Sequence, residues 1–150
     1  MKPIGHAAIT LTLGGILYKY SHSFTGFLSF FITGILVDMD HYFDYIRENG
    51  LSFNPGKVYK NCAYHGHFKK LFLFLHSYEL LIVMMLALLS FNLNIIWTYV
   101  TLGLASHLLT DQITNPVLPF SYFFSFRMIN GFRTEKVFLT KEVGYAHRHR

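Results

Sequence analysis

The sequence predicts an all-α protein, a four-helix transmembrane bundle of up-down topology. Three observations predict it. Hydrophobic residues make up 52% of the 150 residues, and charged residues only 14%, against about 25% in an ordinary soluble domain. Long apolar runs are separated by short polar breaks. Leu80 to Thr110 holds no Lys, Arg, Asp or Glu over 31 residues, whereas an amphipathic soluble helix shows a charged face. The mean hydropathy, +0.33, is low for such a protein because Tyr, His and Asn dilute it.

The elements follow in order. Pro3 to Tyr18 is uncharged and predicts the first helix. Lys19 to Ser23 is a polar break. Phe24 to Val37 is apolar, and its helical pattern runs on to about Ile46. Asn49-Gly50 and Asn54-Pro55-Gly56 are strong breakers, so residues 47–70 are expected to form a loop, with room for one short helix. Leu71 to Phe91 is apolar apart from His76 and Glu79. As one helix, Leu80 to Thr110 would reach about 46 Å, too long for a single span of a hydrocarbon core of about 30 Å. Asn92-Leu93-Asn94 is the hinge that divides it. The first and fourth helices are short for a span and need thinning or snorkelling at their ends. Residues 1–115 are thus expected to form a membrane domain. Residues 116–150 add an interfacial aromatic segment (Phe120, Tyr122, Phe123, Phe124, Phe126, turned by Pro116 and Pro119) and a basic tail.

The net charge is +5, and the placement of the basic residues sets an orientation. With the N-terminus inside, the 47–70 loop and the C-terminal tail are cytoplasmic, and every Lys and Arg except Lys19 lies on that side. The expected location is the inner membrane, multi-pass, with both termini cytoplasmic. The single cysteine, Cys62, excludes an intrachain disulfide. No small-x-small cleavage site follows the apolar N-terminus, so it is not read as a cleaved signal.

Chemistry gathers at one end of this topology. His6 starts the first helix, and Asp38, Asp40 and His41 end the second. His76 and Glu79 start the third, and His107 and Asp111 end the fourth. In an up-down-up-down bundle these four ends lie on one side. His107 and Asp111 are i, i+4 and share a face, with Gly103 on the same stripe to allow close helix approach. Asp38 and His41 are i, i+3, as are His76 and Glu79. Asp40 points elsewhere, towards Asp44. Imidazole plus carboxylate is the donor set for zinc or a similar divalent ion. The ligand pool is His6, Asp38, His41, His76, His107 and Asp111, for one or two ions. Asp40 and Glu79 are the proton-handling candidates. His65 and His67 are either further ligands or proton carriers, or part of a basic, solvated loop.

These residues resemble a family. Gly34-Ile35-Leu36-Val37-Asp38-Met39-Asp40-His41 is similar to the hydrophobic-Pro-Asp-x-Asp-His motif of the YdjM-like membrane-bound metal-dependent hydrolases, with Val37 at the usual proline. Leu104 to Asp111 looks like their His-x-x-x-Asp helix, His76-Ser77 like their His-Ser element, and His6 like their first histidine. His65-Gly66-His67 lies well before His76-Ser77, where the family has one compact motif. The resemblance covers about residues 4 to 115. It implies hydrolase chemistry related to zinc-dependent phospholipase C and the zinc-dependent single-strand nucleases.

The expected function is therefore a membrane-bound metal-dependent hydrolase, cleaving a phospholipid-like phosphoester at the cytoplasmic face. Membrane lipid is its expected partner, and nucleic acid is not. The alternative is a non-enzymatic integral membrane protein with a structural metal or proton-handling site. A third expectation is a soluble or peripheral lipid-binding bundle.

Overall fold

The structure is a computed structural model and describes residues 3–54, 56, 58 and 68–137. It is all-helical, with no strand among the described residues, apart from an isolated bridge between Lys70 and Arg133. In chain order the helices are α1 (Pro3–Ser21), α2 (Phe24–Leu36), α3 (Met39–Asn49), α4 (Tyr78–Ser90), α5 (Ile95–Thr114) and α6 (Phe124–Ile129), followed by a 3₁₀ turn at Thr134–Lys136. His65, His67 and the tail beyond Val137 lie outside the described residues.

Local signals account for the boundaries. Ser23 caps α2 by accepting from Gly26 N at 3.1 Å, Ser77 caps α4 at Leu80 N, and Asn94 caps α5 at Ile96 N. The break at Asn92-Leu93-Asn94 falls where the sequence places it. The second helix does not run unbroken to Ile46. It stops at Leu36, and Asp38, Asp40 and His41 donate their N–H groups three residues back, to Ile35, Val37 and Asp38. That tight turn re-aims the chain into α3.

α2 lies between α1 and α5 and packs most extensively on α5. A Cβ on Gly103 would sit 2.7 Å from the Phe30 carbonyl oxygen. Only glycine lets α5 approach the α2 backbone this closely. The core joins Val37, Tyr45, Phe68, Leu71, Leu73, Leu104, Leu108, Val117, Tyr122 and Val137. Residues 116–137 thus pack into the same core as the helices and do not form an appended segment.

The transmembrane expectation is overturned. No helix among the described residues is long and apolar enough to cross a membrane. α2 and α4 have 13 residues each, about 20 Å at 1.5 Å per residue, against about 20 residues for a span. α1 and α5, with 19 and 20 residues, have the length but not the apolarity. α1 carries His6, Thr10, Thr12 and Lys19, and α5 carries Thr98, Thr101, Ser106, His107, Thr110 and Asp111. The multi-pass inner-membrane location, and the cytoplasmic placement of termini and loop that rests on it, fall with the spans. The error has a physical source. An uncharged run is not an apolar one: Thr12, Ser29, Thr33, Thr101 and Thr110 are polar residues whose hydroxyls bond to carbonyls four residues back.

Candidate metal centre

α3 carries three carboxylates at i, i+4 and i+8: Asp40, Asp44 and Glu48. Helical periodicity puts them on one face. There they receive the backbone of the irregular segment 69–76. Glu48 accepts from Lys69 N and Lys70 N at 3.0 and 2.9 Å. Asp44 accepts from Phe72 N and Leu73 N at 2.8 and 3.3 Å. Asp40 Oδ2 accepts from Leu75 N and from His76 N. Leu73 takes a left-handed φ of +43°, which is strained for leucine. It is held from both sides, because Asp44 takes its N–H and Arg127 Nη2 donates to its carbonyl at 2.9 Å. Arg127 Nη2 also donates to the His76 carbonyl at 2.9 Å. The outcome of this bracing is a fully buried His76, at 0% exposure.

His76 meets His107 from α5. Their Nε2 atoms are 3.2 Å apart. Each ring is fixed from behind. His107 Nδ1 lies 2.7 Å from the Gly34 carbonyl oxygen, which can only accept, so that nitrogen carries the proton. His76 Nδ1 lies 3.4 Å from Asp40 Oδ2, the carboxylate–histidine arrangement that fixes the tautomer of a metal-ligating imidazole. The two Nε2 atoms therefore face each other, and either a proton or a metal ion can sit between them.

Carboxylates complete the cluster on two sides. Asp38 Oδ1 is 3.5 Å from His107 Nε2 and 3.7 Å from His76 Nε2. Asp111 Oδ2 is 3.6 and 3.5 Å from the same two nitrogens. Four donors on zinc at about 2.0–2.2 Å stand about 3.3–3.6 Å apart along the edges of a tetrahedron. The two triangles that share the His76–His107 edge have sides of 3.2–3.7 Å, close to those dimensions. Asp38 is at the N-cap position of α3 but makes no capping bond, which leaves its carboxylate directed at the histidines. His6 Nε2 lies 2.9 Å from Asp111 Oδ1, and its ring stacks on His107 with centroids 4.3 Å apart. Two groups can thus hold a metal ion: His6, His107 and Asp111, and Asp38, His76 and His107.

The electrostatics match. Burial opposes a charge on His76, but hydrogen bonds to Asp38 and Asp40 and the field of Asp111 outweigh it and raise its pKa to about 9. Burial likewise opposes ionisation of Asp111, yet the bonds to His107 and His6 hold its carboxyl far below the usual range. Burial raises Asp38 too, and the His76 bond with the fields of His107 and His41 brings it below the ordinary value. The cluster is an anionic cage around imidazole nitrogens.

Of the residues singled out from the sequence, the structure brings His6, Asp38, His76, His107 and Asp111 together. His41 stands beside them, 3.9 Å from Asp38, with its ring 5.0 Å from that of His76. Asp40 is behind His76. Glu79 is turned away from the cluster: its carboxylate accepts from Phe124 N, Ser125 N and the Ser125 and Ser77 hydroxyls at 2.7–2.9 Å, which commits it to the start of α6. Arg127, counted among the charges of the tail, is instead fully buried against this site. Only an arginine interrupting an aromatic run hints at it in the sequence. A cavity of about 10 Å³ is lined by His41, His76, Asp111, Tyr122 and Arg127, among others, and has room for about one water-sized atom. No family model matches the chain, and no curated protein or solved structure is significantly similar to it.

Proposed function

We propose that the chain is a metal-dependent hydrolase that cleaves phosphoesters at this cluster, with zinc as the metal. The observation that carries the reading is the pair of His76 and His107 Nε2 atoms, 3.2 Å apart and both pinned at Nδ1, between Asp38 and Asp111. Because His107 Nδ1 is committed to Gly34, His107 offers one nitrogen. The two overlapping groups then describe a single ion shared through it. Such an ion supplies Lewis acidity and lowers the pKa of a bound water to about 7.

The chain's own residues do the rest. His76, His107 and Asp38 supply one face of donors, and Asp111 a second. His6 holds Asp111 through its Oδ1. Asp40 keeps His76 in the tautomer that offers Nε2. Kinship with the YdjM-like hydrolases belongs to the proposal and rests on the motifs around Asp38, His76 and His107.

The test is to strip the purified full chain with a chelator, titrate it with zinc, and assay bis(p-nitrophenyl) phosphate. A full equivalent of zinc, zinc-dependent hydrolysis, and loss of both in His107→Ala and Asp111→Ala are expected. A folded protein that takes up no zinc would sink the reading. The second reading, a structural ion in a non-enzymatic protein, is favoured by the burial of His6, His76, His107 and Asp111. It is selected if zinc binds stoichiometrically and raises thermal stability, but phosphodiesters are left intact.

A further inference from the structure

Arg127 has more donors than its structural duty uses. Its Nη2 serves the carbonyls of Leu73 and His76, each at 2.9 Å. Its Nε and Nη1 are buried and have no hydrogen-bond partner among the described residues. No carboxylate among those residues lies within ion-pair distance of it. Asp40, Asp44 and Glu79 act on it only through their fields, and its guanidinium lies over the Phe124 ring at 5.8 Å. A buried guanidinium with unmet donors is costly, and holding two carbonyls does not require its charge. It lines the same small cavity as His41, His76 and Asp111.

Resting on the hydrolase reading above, we propose that Arg127 is the substrate-anchoring residue of the site. Its Nη1, which has no partner among the described residues, donates to one non-bridging phosphoryl oxygen seated in the cavity beside the metal ligands. The single-atom size of the cavity suits one such oxygen. A lysine in its place would spend its one ammonium on the Leu73 and His76 carbonyls and bring no second nitrogen to the oxygen. The substrate class follows: an ester with an anionic phosphoryl oxygen, in preference to a neutral carboxylic ester.

The experiment compares zinc-loaded full-length wild type with Arg127→Gln and Arg127→Lys. Three readouts are taken: zinc stoichiometry, affinity for inorganic phosphate by calorimetry, and kcat and KM for bis(p-nitrophenyl) phosphate beside p-nitrophenyl acetate. Arg127→Gln removes the charge together with the Nη2 bonds to the two carbonyls, and Arg127→Lys keeps a charged donor of nearly the same reach. If that variant fails to fold, Arg127→Lys decides. Expected are a zinc stoichiometry of one retained, phosphate affinity lower by about tenfold or more, a matching rise in KM for the phosphodiester, and a much smaller loss in the acetate rate. A merely structural Arg127 would reduce zinc affinity and both activities together, and that result overturns the proposal. So does wild type that binds zinc but not phosphate, which leaves the metal reading standing. Wild type that binds no zinc removes both.

Discussion

Asp40 offers the sharpest single perturbation, because one oxygen serves two tasks. Its Oδ2 accepts the N–H groups of Leu75 and His76 and faces His76 Nδ1. Asp40→Ala removes the acceptor from two buried or part-buried backbone donors. At about 1–3 kcal/mol for each donor left unmet, the loss is about 2–6 kcal/mol, a large part of the roughly 5–15 kcal/mol that holds a domain folded. Asp40→Asn keeps one acceptor oxygen at the site, so it retains most of that stability and loses the negative charge that steadies the His76 ring. The separation is measurable. Chelator-treated proteins unfolded in urea should rank wild type, then Asn, then Ala, with Ala well below. Competition against a chromophoric zinc chelator should place Asp40→Asn about 10- to 100-fold below wild type, the usual effect of removing an outer partner of a metal-bound histidine. Two results would refute the reasoning: Asp40→Asn with wild-type zinc affinity, or Asp40→Ala as stable as Asp40→Asn.

Three further outcomes are expected. Gly103→Ala places a Cβ 2.7 Å from the Phe30 carbonyl, so it should destabilise by about 1–3 kcal/mol in thermal unfolding, and by shifting the neighbouring Gly34 carbonyl off His107 it should weaken zinc binding as well. Because His76 is protonated up to about pH 9 in the metal-free protein, zinc must displace that proton. Zinc affinity should then climb about tenfold per pH unit and flatten above pH 9; a flat profile from pH 6 to 9 contradicts it. The same shift gives the metal-free protein stability that is fully present below the ordinary value of 6.5 and lost as pH rises through about 9. Burial opposes the Glu79 charge, but the bonds from Ser125 and Phe124 bring its pKa from 4.5 to about 2. That stability is present above 4.5 and lost as pH falls towards 2, so Glu79→Gln should be less stable than wild type at neutral pH and converge with it in acid, as read from urea midpoints.

Much of the cluster was legible because helical periodicity is a strong constraint. His107 and Asp111 on one stripe, with Gly103 beneath them, follow from the spacing alone. Alternation of helix direction put the ends bearing His6, Asp38, His76 and His107 on one side. Asp40 was separable from Asp38 by its phase, and its alignment with Asp44 is the stripe that receives segment 69–76. What was not legible is set by irregular backbone. Nothing in Leu71-Phe72-Leu73 announces an extended segment with a left-handed Leu73, because acceptors on a distant helix impose it. The turn at Val37–Asp38 interrupts an apolar run with no glycine or proline at the break. Arg127 belongs to the site through the fold of residues 116–137, which sequence reading had set apart as an interfacial segment. Glu79 shares a helical face with His76 only if the helix begins before it. Ser77 caps α4, and His76 stays outside.

The central claim is that His76 and His107 hold one divalent ion between their Nε2 atoms. The most direct measurement is an anomalous difference map at the zinc edge from crystals of the zinc-loaded full chain. The account predicts a single strong peak about 2.0–2.1 Å from both Nε2 atoms, with Asp38 and Asp111 oxygens beside it. A map without that peak, with the two imidazoles bonded directly to each other, would contradict it.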